Sequence, residues 1–464
     1  MSALADPARQ SPEELALVTP DDRDRFADLL RAGSLIVVVL GHWLMVVVTP
    51  DGEVSNVLSL VPSLQPLTWV LQVMPLFFLV GGVAHSYALD SLDRRGGSRR
   101  GRYVAFVSRR AVRLLRPTLA FLAVWVVLGA LAHVTGLTSL SGPDGGLARD
   151  ALVMVPQLLW FVAIYLGVCA CAPAMRRLHK RIGLYAAVLL ALAAVLVDVV
   201  RFAVPPLVLV GNLNFAFVWL ALHQLGFAWR DGLLSARRGW AMFVGGYGAM
   251  LGLITFGPYP TSMVGLPGEA VSNMAPPSAA LLAQGIGIAG LAVVLRGPAA
   301  RLLARPDVWA VVLRVAPFAM TAFLWHLTAL MLVELGRRAV GLGEPEVASW
   351  AWWATRPGLF LILALLTAGL VAVFVRCDQG SKPLRGPVLE RRAWVDPLAA
   401  LAALAIFFGI LMVSIVGVDV LGNRPVFFLF GDITPVVGFA VLATGLALLR
   451  LTRPQVTPPR VERA

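Results

Sequence analysis

The sequence predicts an all-α, polytopic integral membrane protein, a helical bundle of about twelve transmembrane helices. Of its 464 residues, 58% are hydrophobic and only 14% are charged, which is too apolar for a soluble protein to cover with a polar surface. A helix that spans a bilayer needs roughly 20 consecutive apolar residues, and such runs recur along the whole chain. They lie near residues 29–49, 66–89, 113–136, 151–174, 183–201, 207–229, 240–257, 278–296, 309–335, 357–376, 396–418 and 425–449.

The basic residues also favour a membrane protein. The chain has 39 Lys and Arg residues against 26 Asp and Glu, an excess that would also fit a nucleic-acid partner. However, these residues cluster between the apolar runs, mostly in the two tails and in alternate connections beginning with 90–116. Positively charged loops stay in the cytoplasm, so the alternation predicts two cytoplasmic termini. We expect a multi-pass protein of a bacterial cell membrane, surrounded by lipid and without a nucleic-acid partner.

The tails and cysteines carry little chemistry. Residues 1–27 are polar and lack the basic start and apolar run of a secretory signal, so they are expected to form a cytoplasmic tail. The C-terminal stretch 452–464 is rich in Pro and Arg and is predicted to be disordered. The three cysteines (Cys169, Cys171 and Cys377) make no metal-ligand spacing with a histidine pair, so neither a metal site nor a disulfide is expected.

The first span carries the best candidate site. Ionisable residues inside a bilayer are costly, and each is therefore a functional hypothesis. Arg31 and His42 are 11 residues apart, close to three helical turns, so they project from nearly one face about 16 Å apart along the axis. This distance is comparable with an extended pantetheine arm, which links a charged nucleotide to a reactive thioester. Asp28 is placed to hold the Arg31 guanidinium. A snorkelling arginine and a histidine that bonds between helices remain the alternative.

Four short motifs resemble the acyltransferase 3 family of membrane acyltransferases. The stretch from Asp28-Leu29-Leu30-Arg31 to Gly41-His42 resembles the family's opening helix, whose hallmark is an arginine and a histidine with ten residues between them. Residues 74–82 (MPLFFLVGG) are similar to its Pro-Leu-Phe-Phe segment, 109–117 (RRAVRLLRP) to its basic stretch, and 323–326 (FLWH) to its Tyr-Leu-Trp-His motif. Val80-Gly81 replaces the usual Ser-Gly, so no hydroxyl role is carried over.

The resemblance implies how the chain is organised. Residues 28–376 would form a ten-helix core after the N-terminal tail. Residues 377–451 would add a cytoplasmic loop and two further transmembrane helices, for which we have no functional interpretation.

The resemblance also implies an O-acyl transfer. A cytoplasmic acyl-CoA would act as co-substrate, with no bound cofactor, and the acceptor would be a hydroxyl of a glycan, a lipid-linked sugar or another small molecule. A neutral histidine suits the general base that this reaction needs, and His42 is the candidate. Direct transfer and a covalent acyl-histidine stay open. A donor from inside and an acceptor from outside would couple the reaction to passage across the membrane.

The basic stretch supplies candidate donor ligands. Arg109, Arg113 and Arg116 fall at i, i+4 and i+7, on one face of a helix at the interface. Guanidinium groups there suit the phosphates of a nucleotide donor, and anionic lipid headgroups are the alternative. We expect Arg31, with Arg113 or Arg116, to anchor the donor.

Other polar residues inside the spans are weaker candidates. His326 could orient an acceptor or bond between helices, and Asn212 lies near the outer side. Asp198 and Arg201 are expected to form an ion pair, beside the path of the acceptor. The outer loop 258–277, rich in Gly and Pro, could be a lid or a plain connector.

A secondary transporter is the rival function, because twelve spans with cytoplasmic ends are a common carrier plan. Carriers are often built from repeated halves, and no repeat is visible here. The transport function of a carrier would not require this spacing of Arg31 and His42.

Overall fold

The predicted all-α fold class is confirmed. In a computed structural model, helices account for 79% of the structure. The structure describes residues 11–17, 19–20, 23–48, 54–96, 98, 100–140, 143–378, 391–429 and 431–452. Residues 1–10 of the predicted N-terminal tail, residues 379–390 of the predicted cytoplasmic loop and residues 453–464 of the predicted disordered tail lie outside the described residues.

Seventeen α-helices and four short strands are present in the described ranges. The helices are α1 (Pro12–Leu17), α2 (Arg25–Met45), α3 (Val57–Leu60), α4 (Thr68–Leu71), α5 (Met74–Arg94), α6 (Arg102–Val134), α7 (Pro143–Gln157), α8 (Leu159–Ile182), α9 (Tyr185–Ala203), α10 (Asn214–Arg230), α11 (Ala236–Phe256), α12 (Ala279–Leu303), α13 (Pro306–Val315), α14 (Ala319–Ala339), α15 (Trp350–Asp378), α16 (Val395–Val416) and α17 (Pro435–Leu451). The strands are β1 (Val46–Val48), β2 (Val54–Asn56), β3 (Val426–Phe428) and β4 (Gly431–Ile433), paired β1–β2 and β3–β4.

Eleven helical segments of the described chain are long and apolar enough to cross a membrane. The twelfth predicted span, 425–449, is shorter, because its first residues form the hairpin of β3 and β4 and the helix begins only at Pro435. With 17 residues, α17 is at the lower limit for a membrane helix.

The first of two compact units comprises residues 1–46, 56–84 and 178–323. Within it α2 packs against α12 and α13, and α11 packs along α12. The part of α5 in this unit crosses α10 at Gly82 and Gly226: a Cβ atom on Gly226 would lie only 2.8 Å from the Cα atom of Gly82. Small residues permit such close helix contacts in membranes.

The second unit comprises residues 47–55, 85–177 and 324–464. Its longest helix, α6, begins at Arg102, well before the predicted start near 113. The basic stretch is therefore helical. At the start of the helix, the backbone N–H groups of Gly101 and Val104 donate hydrogen bonds to Asp396. The helix α16 packs against α6 and α7, and α17 packs along α16.

Candidate functional site

Arg31 is held by the acid that the sequence indicated. Arg31 Nη2 lies 2.9 Å from Asp28 Oδ1, and the other carboxylate oxygen accepts a hydrogen bond from Arg23 Nε at 2.7 Å. The Asp28 side chain is 15% exposed and that of Arg31 is 31% exposed. One carboxylate thus orients a guanidinium that still reaches the surface.

The start of α2 is fixed by a second acid, Asp24, which was not predicted from the sequence. Asp24 Oδ1 accepts a hydrogen bond from the Ala27 backbone N–H, the usual bond of an N-cap. Its Oδ2 atom accepts from Trp229 Nε1 at 2.8 Å and from Arg296 Nη2 at 3.0 Å. The N-cap position of Asp24, directly before the helix, was the signal that could have identified it.

His42 lies in the last turn of α2 and is half-buried. The predicted span 29–49 therefore ended too late, and His42 is nearer to the helix end than that span implied. The reason is the valine run 46–48, which leaves the helix to form β1, as β-branched residues favour. Arg31 and His42 still share one unbroken helix, about 16 Å apart along its axis.

Arg113 and Arg116 lie on α6, in the second unit. With Arg109 they are exposed on one helix face, whereas Arg110 is half-buried over the Phe106 ring. Arg109, Arg113 and Arg116 make no hydrogen bond or ion pair to any described part of the chain. No acid in the described ranges neutralises these three guanidinium groups, so they are available to an anion.

Asp198 is fully engaged by groups of the first unit. Its side chain is 1% exposed and forms the expected ion pair with Arg201, at 3.0 Å. Asp198 Oδ1 accepts from Asn214 Nδ2 at 2.8 Å, and Oδ2 accepts from the Tyr259 phenol at 3.0 Å and from the Ala279 backbone N–H at 2.6 Å. Asn212 does not join this cluster, because its amide donates to the Leu209 carbonyl. Acceptor-side roles for Asp198 and Asn212 stay predictions.

The loop between α11 and α12 is bonded to the body of the first unit. Trp69 Nε1 donates to the Thr261 carbonyl at 2.8 Å, and the Met263 N–H donates to the Thr68 hydroxyl at 2.9 Å. Tyr259 adds its bond to Asp198; burial and then this carboxylate raise the pKa of the Tyr259 phenol above its usual value. These contacts favour a fixed connector over a lid.

We expect Tyr259→Phe to lower the stability of the protein. The variant removes one donor from a buried carboxylate, which costs about 1–3 kcal/mol in free energy of unfolding. Thermal unfolding in detergent measures the effect, and Tyr185→Phe is the matched control because Tyr185 is 74% exposed. An unfolding temperature equal to that of the parent would show that the bond contributes nothing.

His326 is fully buried on α14, in the second unit. Its neighbour Trp325 stacks on Phe374, with ring centroids 3.9 Å apart, and meets Phe121 edge-on. The Phe-Leu-Trp-His motif thus packs into the protein, and an acceptor role for His326 stays a prediction.

Two buried polar residues of the second unit make contacts outside the candidate site. His85 Nε2 lies 3.2 Å from the Cys169 sulfur, and both side chains are buried. Glu334 lies 3.3 Å from Arg337 and 3.2 Å from Arg338. The His85–Cys169 contact joins residues 84 positions apart, so no local pattern could have shown it.

Comparison with known proteins agrees with the four motifs. The sequence model of the acyltransferase 3 family, described as an acyltransferase domain, matches residues 24–376. No curated protein and no solved structure matches the chain. The match covers most of the 464 residues, ends before α16, and includes α2 and α6 with their candidate residues. The chain is a multi-pass membrane protein that belongs to the acyltransferase 3 family.

Proposed function

We propose that this acyltransferase moves an acyl group from a cytoplasmic acyl-CoA to a hydroxyl of a glycan, a lipid-linked sugar or another small acceptor. The observation that carries the proposal is the arrangement on α2. A guanidinium oriented by Asp28 and a half-buried imidazole stand on one helix, separated by about the length of a pantetheine arm.

In the proposed reaction His42 is the general base. It takes the proton of the acceptor hydroxyl as the oxygen attacks the thioester carbonyl, and the carbon–sulfur bond then breaks. The proton passes from the imidazolium to the departing thiolate, so an ester and free CoA are formed. The neutral imidazole is the form that can accept this proton.

Arginines would bind the donor's phosphates. Arg31 offers a planar fork whose orientation is set by Asp28, and such charge-assisted bonds are strong and directional. The exposed face of α6, with Arg113 and Arg116, is a second surface for phosphate groups. Acceptor entry from the opposite side of the membrane would make the transfer a transmembrane reaction.

The experiment that tests the proposal measures thiol release from acyl-CoA by the full-length protein in nanodiscs, with donor binding followed by calorimetry. We expect binding and turnover for at least one donor in a series from acetyl-CoA to long-chain acyl-CoA. Folded protein that neither binds nor cleaves any member would overturn the proposal and direct attention to transport.

Arg31→Ala is expected to weaken donor binding more than it slows the chemistry. Loss of a charge-assisted hydrogen bond corresponds to about a tenfold to hundredfold rise in KM for acyl-CoA. Arg31→Lys keeps the charge but loses the fork, so its KM should be intermediate. Arg237→Ala, an exposed arginine on α11, is the matched control. A normal KM in Arg31→Ala would exclude Arg31 from the donor site.

A further inference from the structure

The helix that carries the exposed arginines receives its N-terminal cap from another helix. The first N–H groups of an α-helix have no partner within it, and Gly101, the residue before α6, has no side chain to supply one. Asp396, in the first turn of α16, does so instead. Its Oδ2 atom accepts from the Gly101 N–H at 2.9 Å and its Oδ1 atom from the Val104 N–H at 3.1 Å.

Apolar contacts continue from this cap along α16. Val395 and Ala399 pack against Val104, and all three side chains are almost completely buried. Ala403, one turn beyond Ala399, belongs to a buried cluster with Phe106. Phe106 is the residue whose ring lies under the Arg110 guanidinium. The arginine-bearing part of α6 therefore rests on α16.

A second contact lies at the other end of the two helices. Asp419, just after α16, has its Oδ1 atom 3.8 Å from His133 Nδ1, in the last turn of α6. The Val418 N–H donates to the Leu152 carbonyl of α7 at 3.1 Å. The helix α16 thus holds α6 at its beginning, and the segment after α16 approaches the end of α6 and is bonded to α7.

The cap matters because α6 is interrupted by a proline. Pro117 lies inside the helix and has no N–H to donate to the Arg113 carbonyl, and its ring disfavours a straight backbone. The segment before Pro117 carries Arg109, Arg113 and Arg116. With one backbone bond missing at its end, the orientation of this segment depends on what holds its beginning.

We propose that Asp396 is a positioning residue for the acyl donor, and that α16 serves to hold the basic segment of α6 in place. This role rests on the proposed function, because it assumes that the arginines of α6 bind the donor's phosphates. This proposal assigns a function to α16, which lies outside the residues that the family model matches.

The test compares Asp396→Ala and Asp396→Asn with the parent in the full-length protein. Loss of the cap should raise the Kd for acyl-CoA by about threefold to tenfold, with a larger change in KM than in kcat. Asn has one acceptor oxygen where Asp has two, so Asp396→Asn can keep only one of the two bonds and its Kd should be intermediate. Amide hydrogen exchange at residues 101–105 should be fastest in Asp396→Ala and intermediate in Asp396→Asn.

The direction in which the Kd for acyl-CoA changes separates a positioning role from a simple electrostatic effect. Asp396→Ala removes a negative charge near the arginines, which by itself would make an anionic donor bind more tightly. Asp432→Ala removes the same charge from an exposed position on β4, which follows the end of α16 opposite to Asp396, and should leave Kd unchanged.

Faster exchange in Asp396→Ala together with an unchanged or lower Kd would overturn the positioning role while leaving the proposed function intact. A parent protein that binds no acyl-CoA would overturn the proposed function, and the positioning role with it.

Discussion

His42→Ala is expected to abolish acyl transfer while acyl-CoA still binds. A positioned general base contributes about a hundredfold to ten-thousandfold to the rate of such a reaction, and alanine cannot accept the proton. The proposed phosphate ligand Arg31, in contrast, lies about 16 Å away along α2, so the Kd for the donor should change little. Thiol release in the presence of an acceptor and calorimetric binding of the donor measure the two quantities separately.

Two controls make this result specific. Leu40→Ala changes an exposed residue on the same helix and should retain turnover. Added imidazole should partly restore turnover in His42→Ala, because it can supply the missing base. If His42→Ala kept a turnover close to that of the parent, the base would have to be sought elsewhere and His42 would be a packing residue.

Gly82→Ala and Gly226→Ala are expected to destabilise the first unit severely. At the crossing of α5 and α10, a Cβ atom on Gly82 would overlap the His223 carbonyl oxygen, and one on Gly226 would overlap that of Leu79. Backbone atoms cannot move aside as flexible side chains do, so the helices must separate. Overpacking of this kind costs about 1–3 kcal/mol or more in free energy of unfolding. Thermal unfolding and monodispersity in detergent report the loss.

Gly252→Ala is the matched control for both variants. Gly252 lies in α11, and a methyl group added there would have no neighbouring atom within 4 Å, so alanine should be neutral or slightly stabilising. The double variant at Gly82 and Gly226 should lose less than the sum of the single effects, because both act on one crossing. Single variants as stable as the parent would show that the helices do not approach so closely.

The fold class and the site on α2 could be predicted because both depend on local patterns. Hydropathy marks the spans, and helical periodicity places Arg31 and His42 on one face with Asp28 beside the guanidinium. The helix ends were less accurate. The end of α2 is set by the strand pairing of residues 46–48, and the start of α17 by the β3–β4 hairpin.

The remaining contacts join residues that are distant in sequence. Asp396 and Gly101 are 295 positions apart, and Asp24 and Trp229 are 205 apart. No periodicity relates such pairs, since they meet only when the helices have packed. For the same reason the four donors around Asp198 could be predicted only in part: Arg201 lies one turn away, whereas Tyr259 and Ala279 come from a loop and another helix.

The length of α6 has a consequence for donor selection. Its 33 residues extend about 50 Å, well beyond the roughly 30 Å of a hydrocarbon layer, so part of the helix must lie outside that layer, and the arginine-bearing turns are the part that is costly to bury in it. Charges there attract any polyanion, and the attraction is screened over about 10 Å at 0.1 M salt. If acyl-CoA is the donor, as proposed, the released CoA carries the same phosphates and competes with acyl-CoA for the arginines of α6. Because these arginines bind only the phosphates, discrimination among acyl chains has to come from apolar side chains.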